Sequence, residues 1–273
     1  MRLIRLLLLP LFVLSLAACG VLREPEAPSE PIGAIPLEVE TATAPAAAPS
    51  ATPEPAAEEP TVEGPAAEGP APEEPTTEEP TAAAEAVAPA GTEGEPLIYS
   101  ISQDASEVRF ELGEDLRGVR TAVVGVTDQI AGELAVNLSD LASTQVGTIQ
   151  INARGLATDN NFRNRAIHNE ILQTGAYEFI TFTPTAVEGL PDAAAPGETV
   201  NFTVTGDLTI REITQPVTFE VAATAASADS LSGTATATVN RVYFDLRIPS
   251  VPNVANVDEE VRLTIDFVAN ATS

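Results

Sequence analysis

The sequence predicts an all-β domain, an antiparallel sandwich or barrel with one short helical insert, preceded by a disordered linker. Residues 97–273 carry this prediction, because apolar and polar side chains alternate there in many short segments. A period of two is expected when one face of a strand is buried and the other faces water. Short turns between such segments favour antiparallel pairing, and closure into a barrel removes exposed strand edges.

The alternation is clearest in four segments, at 200–211, 217–224, 242–248 and 261–267. Weaker segments lie at 98–102, 106–112, 119–126, 129–138, 145–152 and 177–188. Together they supply the strands of a small barrel. The interior of an eight-stranded barrel is just wide enough for side chains or for one slim ligand.

One stretch departs from this pattern and predicts the helical insert. Residues 158–161 (Thr-Asp-Asn-Asn) are of the types that cap the N-terminus of a helix. After them, Phe162 and Ala166 are four residues apart, as are Ile167 and Ile171. Residues with this spacing lie on the same face of a helix.

The N-terminus predicts a lipid anchor. Arg2 and Arg5 precede a short apolar run that ends in Leu-Ala-Ala-Cys19. A basic start, a short apolar core and small residues before a cleavage site are typical of a secretory signal peptide. Because a cysteine follows directly, the run resembles the bacterial lipoprotein signal, which implies removal of residues 1–18 and acylation of Cys19. Cys19 would then anchor the protein to the cell membrane, facing the periplasm or the cell exterior. The alternative is a general secretion signal that holds a buried cysteine.

Residues 19–95 are predicted to be a disordered tether. The 76 residues from Gly20 to Glu95 contain 17 glutamates and 15 prolines, and they contain no aromatic residue. Such a segment cannot bury enough apolar surface to offset the entropy of ordering it. Proline and charge repulsion favour an extended chain, on the order of 200 Å at about 3.1 Å per residue. We therefore expect this segment to make no contact with the folded domain at 97–273.

Composition excludes several classes of function. The net charge is −27, with 13 basic residues against 40 acidic ones, so nucleic acid is not an expected partner. The chain has a single histidine, His168, and a single cysteine, which excludes a zinc site of the Cys/His type. No group of residues indicates a catalytic centre, and the sequence predicts neither an enzyme nor a metal site.

Two motifs carry a family resemblance. The first combines Thr-Asp-Asn at 158–160, Phe162-Arg163, Leu172, Tyr177 and the strand at 179–183. The second is Gly-Asp-Leu-Thr-Ile at 206–210, followed by Ile-Thr-Gln-Pro-Val-Thr at 213–218. Together they resemble the YceI-like family over nearly all of 97–273. The sequence departs from the family at Asn164 and Glu178, where aspartate and proline are usual.

The resemblance implies an extended, lipocalin-like antiparallel β-barrel whose apolar tunnel holds a polyisoprenoid, such as a quinone-type or prenyl lipid. No other cofactor is expected. The tunnel-lining candidates on the predicted strands are Phe182, Phe202, Val204, Phe219, Phe244, Ile265 and Phe267. The head-group candidates are Arg163, Arg165 and Asn160, because arginine can donate two parallel hydrogen bonds to a phosphate.

Two functions remain open at this point. The first is a carrier, store or shield for an isoprenoid or another amphiphilic lipid outside the cytoplasmic membrane. The second is a tethered structural or interaction module of the cell envelope whose barrel is filled by its own side chains. The oligomeric state is open as well, with a homodimer as one option.

Overall fold

The computed structural model describes residues 24–29, 32–38 and 95–272, which form thirteen β-strands and one α-helix. The strands are β1 (Leu97–Ile101), β2 (Glu107–Leu116), β3 (Val119–Thr127), β4 (Ile130–Ala131), β5 (Glu133–Val136), β6 (Gln145–Val146), β7 (Ile149–Asn152), β8 (Phe179–Glu188), β9 (Thr199–Ile210), β10 (Ile213–Ser227), β11 (Ser230–Asn240), β12 (Val254–Ala255) and β13 (Glu260–Ala271). The helix α1 spans Asn161–Ala166, between β7 and β8. None of the helical segments in these residues has the length and apolar character needed to cross a bilayer.

The strand pairing closes on itself and forms an antiparallel barrel. β8, β9 and β10 each pair with the next strand along the chain, and β11 pairs with β13. β13 pairs with β2 at one end and with β1 at the other, and these pair in turn with β3 and β5. β5 pairs with β6, β4 pairs with β7, and β7 returns to β8. Because Gly132 alone separates β4 from β5, this last set of pairs completes the circle.

The alternation of the sequence sorts side chains between the interior and the surface. On β10, Val217 and Phe219 are buried, whereas Thr218 is exposed. On the outer face, the Thr205 and Thr218 hydroxyls of neighbouring strands form a hydrogen bond of 2.8 Å. The all-β class and the barrel predicted from the sequence are therefore confirmed.

Two glycines on the inner face make room for aromatic rings. Gly125 of β3 lies directly opposite Phe110 of β2, and a Cβ added there would lie 2.2 Å from the ring carbon Cε1. Gly233 of β11 lies directly opposite Phe267 of β13, where an added Cβ would lie 2.8 Å from Cζ. Each ring thus occupies the place of a side chain on the neighbouring strand, which only glycine permits.

β11 is absent from the strands predicted by sequence. Its inward positions hold mostly small residues, namely Leu231, Gly233, Ala235, Ala237 and Val239. Alanine and glycine give little contrast to the intervening serine and threonine, so the alternation is weak. Pairing with β10 and β13 on its two sides nevertheless fixes this segment as a strand.

The strand predicted at 242–248 is wrong. Residues Arg241–Phe244 form a 3₁₀ turn, and the Asn240 side chain accepts a hydrogen bond of 2.9 Å from the Val242 N–H. Asp245 then adopts the left-handed conformation with φ 50°. The chain therefore turns inward at Phe244, which is buried, instead of continuing along the sheet.

The predicted helical insert is confirmed. α1 is followed directly by a π-helical turn at Ile167–Ile171. Asn160 caps α1, because its Oδ1 accepts hydrogen bonds of 2.9 and 3.2 Å from the N–H groups of Phe162 and Arg163. The insert closes one end of the barrel, which we call the helical end.

Residues 24–29 and 32–38, called here the N-terminal segment, lie against the barrel. Glu26 pairs with Arg154 at 2.9 Å, and the Leu37 N–H donates to Glu133 at 2.8 Å. Ile32 is buried. These contacts contradict, for the described residues, the expectation that the tether does not touch the domain. The rest of the predicted tether, the signal at 1–18 and Cys19 lie outside the described residues.

Candidate functional site: a cavity at the helical end of the barrel

A cavity of about 490 Å³ lies at the helical end of the barrel. Its walls come from β2, from the helical insert and from the loop between β11 and β13, together with the adjoining ends of β8, β9, β11 and β13. The large apolar side chains in these walls include Phe110, Leu112, Ile180, Ile210, Phe244 and Leu263. Its volume falls within the range of about 300–1,000 Å³ that is usual for ligand pockets.

A second cavity, of about 70 Å³, lies deeper in the same interior. Val261 and Leu263 of β13 line the large cavity, and Ile265 and Phe267 line the small one. Alternate residues of a strand face the same side, so the two cavities follow one another along the barrel. The small cavity is far below the usual size of a ligand pocket.

The seven tunnel-lining candidates divide between the two cavities. Six of them line the small cavity, namely Phe182, Phe202, Val204, Phe219, Ile265 and Phe267. The rings of Phe182 and Phe219 meet edge to face with centroids 5.0 Å apart. Only Phe244 lines the large cavity. Six of the seven candidates therefore gather around the cavity that is too small for a typical ligand.

Most residues that line the large cavity were not among the lining candidates predicted from the sequence. Phe110 and Leu112 belong to a segment with weak alternation, Ile248 ends the segment that was predicted as a strand, and Val251 and Val257 belong to a stretch without any period. A cluster of apolar residues and prolines at 248–257 is the one signal that marks this loop. Its contribution depends on folding back over the barrel end, which no local pattern predicts.

The loop is held in place by charged side chains. The Arg241 guanidinium donates to the carbonyl oxygens of Asp258 and Leu246, both at 2.9 Å. Asp258 also accepts hydrogen bonds from the Arg120 side chain and from the Gly113 N–H. The hydrogen bond from Arg120, supported by that from Gly113, holds the pKa of Asp258 below its usual value. These contacts fix the loop that covers the cavity.

The polar edge of the cavity is an ion pair on α1 and β2. Arg163 donates to Glu114 at 2.8 Å and to Asp159 at 2.5 Å. The Glu114 side chain is only 7% exposed and that of Arg163 only 18%. Asn160, the third lining residue on this edge, uses its Oδ1 to cap α1. Arg165, the remaining head-group candidate, is half-buried and does not line either cavity.

The histidine of the insert is buried and hydrogen bonded. His168 Nε2 lies 2.8 Å from the carbonyl oxygen of Leu156, and Nδ1 lies 3.4 Å from the Thr174 hydroxyl. A carbonyl can only accept, so Nε2 carries the proton. Burial lowers the pKa of His168, and the bond to Leu156 opposes this only in part. His168 therefore joins the insert to residue 156, which also lines the cavity.

The cavity offers an apolar binding surface with charged side chains at its edge. Among residues 24–29, 32–38 and 95–272, no group of three or more His, Cys, Asp or Glu side chains is placed to hold a metal ion. At the edge of the cavity, Glu114 and Arg163 pair with each other and Arg241 donates to backbone carbonyls, while the exposed Arg117 also lines the cavity. What the arrangement can do is enclose an apolar molecule and leave a polar group beside Arg163 and Glu114.

The sequence model of the YceI-like domain matches residues 99–269, which is more than half of the chain. This chain belongs to the YceI-like family. The match runs from β1 to β13 and so includes both cavities and the helical insert. A comparison with curated proteins gives no match.

This chain is similar to several solved structures. A polyisoprenoid binding domain from Saccharophagus degradans, implicated in plant cell wall breakdown, has a TM-score of 0.53 at 15% identity, covering 64% of this chain and 99% of that one. BcnA from Burkholderia cenocepacia has a TM-score of 0.49 at 18% identity, covering 62% and 99%. The YceI protein from Campylobacter jejuni has a TM-score of 0.44 at 14% identity, covering 55% and 85%. At these identities, the likeness to the first structure concerns the fold alone.

Proposed function

We propose that this YceI-like protein holds a polyisoprenoid or a similar amphiphilic lipid in its barrel. The protein would act as a carrier, store or shield for that lipid outside the cytoplasmic membrane, to which an acylated Cys19 anchors it. The observation that carries the proposal is the cavity of about 490 Å³ with a predominantly apolar wall. The polyisoprenoid binding domain that shares the fold supports the same class of ligand.

The lining favours a hydrocarbon chain over a polar ligand. Removing apolar surface from water contributes about 0.8 kcal/mol per CH₂ group. Ordering a flexible chain costs part of this gain, and a chain of several isoprene units still retains a surplus. A tail of that kind needs no polar contact along its length, which fits walls made of Phe, Leu, Ile and Val.

The edge formed by Arg163 and Glu114 favours a neutral head group. The charge of Arg163 is matched by two carboxylates, Glu114 and Asp159. A diphosphate placed there would meet both carboxylates and would have to displace at least one from the guanidinium. A quinone or an alcohol could accept or donate a hydrogen bond at this edge without breaking the ion pair.

The test is a lipid extract of the purified full chain, analysed by mass spectrometry, with a variant that fills the large cavity. Leu263→Trp should lower the amount of bound lipid several-fold, because the indole occupies the space of the tail. Val124→Trp is the matched control, since Val124 lies on β3 with 38% of its surface exposed and lines neither cavity. Neutral quinone should bind more tightly than a prenyl diphosphate of equal tail length.

The alternative is an interaction module whose barrel needs no ligand. In that case the extract would contain no stoichiometric lipid, and Leu263→Trp would leave every binding measurement unchanged. Bound lipid that is lost equally in Val124→Trp and Leu263→Trp would also argue against the cavity as its site.

A further inference from the structure

The N-terminal segment is bound at its start by a cluster of polar side chains. Glu26 pairs with Arg154 at 2.9 Å, and the N–H and hydroxyl of Ser29 both donate to Glu178. Arg154 and buried Asn152 bind Glu178 as well, at 3.2 and 2.7 Å. Desolvation raises the pKa of Glu178, but the hydrogen bonds from Ser29 and Asn152 and the charge of Arg154 outweigh it and hold that pKa low. Glu178 is therefore a charged acceptor on which this segment docks.

Further along, the segment is held by apolar burial and by its backbone. Ile32 is 7% exposed, and its carbonyl accepts a hydrogen bond of 2.6 Å from Gln103. The Leu37 N–H donates to Glu133 at 2.8 Å, and the Leu37 side chain lies beside Gly147. The contacts thus extend along the whole described segment instead of being confined to one ion pair.

The segment has a definite direction on the barrel. Its start contacts Arg154, which follows β7, and Glu178, which precedes β8; both positions lie at the helical end. Its last contact is with Glu133 of β5, next to Leu134, which lines the small cavity. Residue 24, where the described segment begins, therefore lies at the end of the barrel that holds the large cavity.

The distance to the predicted anchor is short. Cys19 precedes Glu24 by five residues, which span at most about 18 Å when fully extended. A tether that left the domain at residue 95 would allow a separation on the order of 200 Å. Docking of the N-terminal segment therefore decides whether the barrel is close to the anchor or far from it.

The helical end also carries most of the large apolar side chains that the barrel exposes. Among the described residues, those at this end are Val119, Phe162, Phe179, Val242, Tyr243 and Val251. Phe162, Tyr243 and Val119 are the most exposed, at 70%, 67% and 65%. Phe162 and Val251 also line the large cavity. Exposed apolar surface beside a cavity marks a site of membrane or ligand contact.

We propose that docking of the N-terminal segment turns the helical end of the barrel, with the large cavity, toward the bilayer that carries the lipid anchor. This inference rests on the proposed function, since it takes Cys19 as the anchor and a membrane lipid as the ligand. The apolar side chains around Phe162 contact the bilayer surface. A lipid passes between the membrane and the cavity without crossing the open aqueous phase.

The experiment uses fluorescence of the full lipidated chain in phosphatidylcholine vesicles that contain a brominated lipid as quencher. The chain has no tryptophan, so one introduced residue reports alone. Tyr243→Trp places the probe at the helical end, outside the cavity lining. Glu188→Trp places it at the opposite end of β8 on an exposed position. Quenching should be several-fold stronger for Tyr243→Trp.

A matched pair of variants then tests whether the contacts of the N-terminal segment with the barrel are needed. Ile32→Asp puts a charge at a buried position, whereas Ile35→Asp puts the same charge three residues away at a position 46% exposed. Ile32→Asp should reduce quenching in the Tyr243→Trp protein to the level seen in the Glu188→Trp protein, and Ile35→Asp should not. Glu26→Gln with Ser29→Ala weakens the polar contacts without adding a charge, and it should act in the same direction if Ile32→Asp disturbs folding.

The outcomes separate this inference from the proposed function. Equal quenching of the two probes in protein that floats with the vesicles overturns the orientation and leaves the anchor intact. Quenching that is unchanged by both segment-breaking variants overturns the role of the segment. A chain that does not float with vesicles overturns the anchor and this orientation with it, whereas lipid found in the extract still supports the cavity.

Discussion

The two ends of the barrel interior are both lined by apolar residues, yet one holds a cavity of about 490 Å³ and the other only about 70 Å³. The end with the small cavity, called here the narrow end, is lined by aromatic rings. Phe182 and Phe219 are in edge-to-face contact, and Phe202 and Phe267 line the same cavity. At the helical end, called here the wide end, the helical insert and the loop from β11 to β13 extend the wall beyond the strands. The same strands run through both ends. The space for a ligand therefore depends on the aromatic side chains at one end and on the helical insert and loop at the other.

The wide end is also the polar end. Arg163 and Glu114 pair at its edge, and His168 holds the insert to the wall. Among the described residues, the lining of the narrow cavity is entirely apolar. The narrow end should therefore respond to changes of volume, and the wide end to changes of charge and pH.

The largest expected effect is loss of a ring at the narrow end. Phe182→Ala should destabilise the protein by about 3–5 kcal/mol, because it removes a buried aromatic side chain and leaves a cavity. The matched change at the wide end, Phe162→Ala, should cost less than about 0.5 kcal/mol, since Phe162 is 70% exposed. Urea unfolding followed by circular dichroism measures both. Similar losses for the two variants would contradict the contrast between the ends.

The next effect concerns charge at the wide end. Arg163→Ala should cost about 3 kcal/mol, because it leaves Glu114 buried without its partner. Arg247 also pairs with a carboxylate, Asp245, but its side chain is 86% exposed. Arg247→Ala should therefore cost only about 0–1 kcal/mol. The same unfolding measurement compares them, and Glu114→Gln combined with Arg163→Ala should recover part of the larger loss.

The third effect compares the loss of stability when a tryptophan is added at the narrow end with the loss when it is added at the large cavity. Val204→Trp should destabilise the protein by about 1–3 kcal/mol, because the indole overpacks the narrow end. Leu263→Trp should cost less, because its indole can extend into the large cavity. Thermal unfolding of lipid-free protein is the appropriate measurement. A larger loss for Leu263→Trp would mean that the wide end is packed as tightly as the narrow one.

The smallest effect is a dependence on pH at the wide end. Burial holds the pKa of His168 below the ordinary value of 6.5, so below about pH 6.5 the unfolded chain binds a proton that the folded chain does not. Stability should fall as the pH drops through this range, by at most about 1.4 kcal/mol per pH unit. His168→Gln should remove this slope. Unfolding at pH 7.5 and 5.5 tests it, and an identical slope in the variant would assign the dependence to other groups.

Much of the barrel could be predicted because its strands have clear local patterns. β9, β10 and β13 alternate between large apolar and polar side chains, and Asn160 marks the start of the insert. β11 escapes prediction because small residues give little contrast, and pairing with β10 and β13 is what fixes it as a strand. The strand predicted at 242–248 fails because Asn240 caps a 3₁₀ turn at its start and Arg241 binds the distant carbonyl of Asp258.

The sequence by itself determined the all-β class, the position of the helical insert and the apolar residues of the interior, because these follow from periods of two and four along the chain. Only the tertiary structure decided where the interior stays open. That depends on rings meeting across the barrel and on a loop without any period folding over its end. Docking of the N-terminal segment also could not be predicted from the sequence. The residues of the segment contact partners on the barrel that are distant in sequence, namely Glu26 with Arg154, Ser29 with Glu178 and Ile32 with Gln103. The one sequence feature related to this docking is Glu178, which stands where the YceI-like family usually has proline.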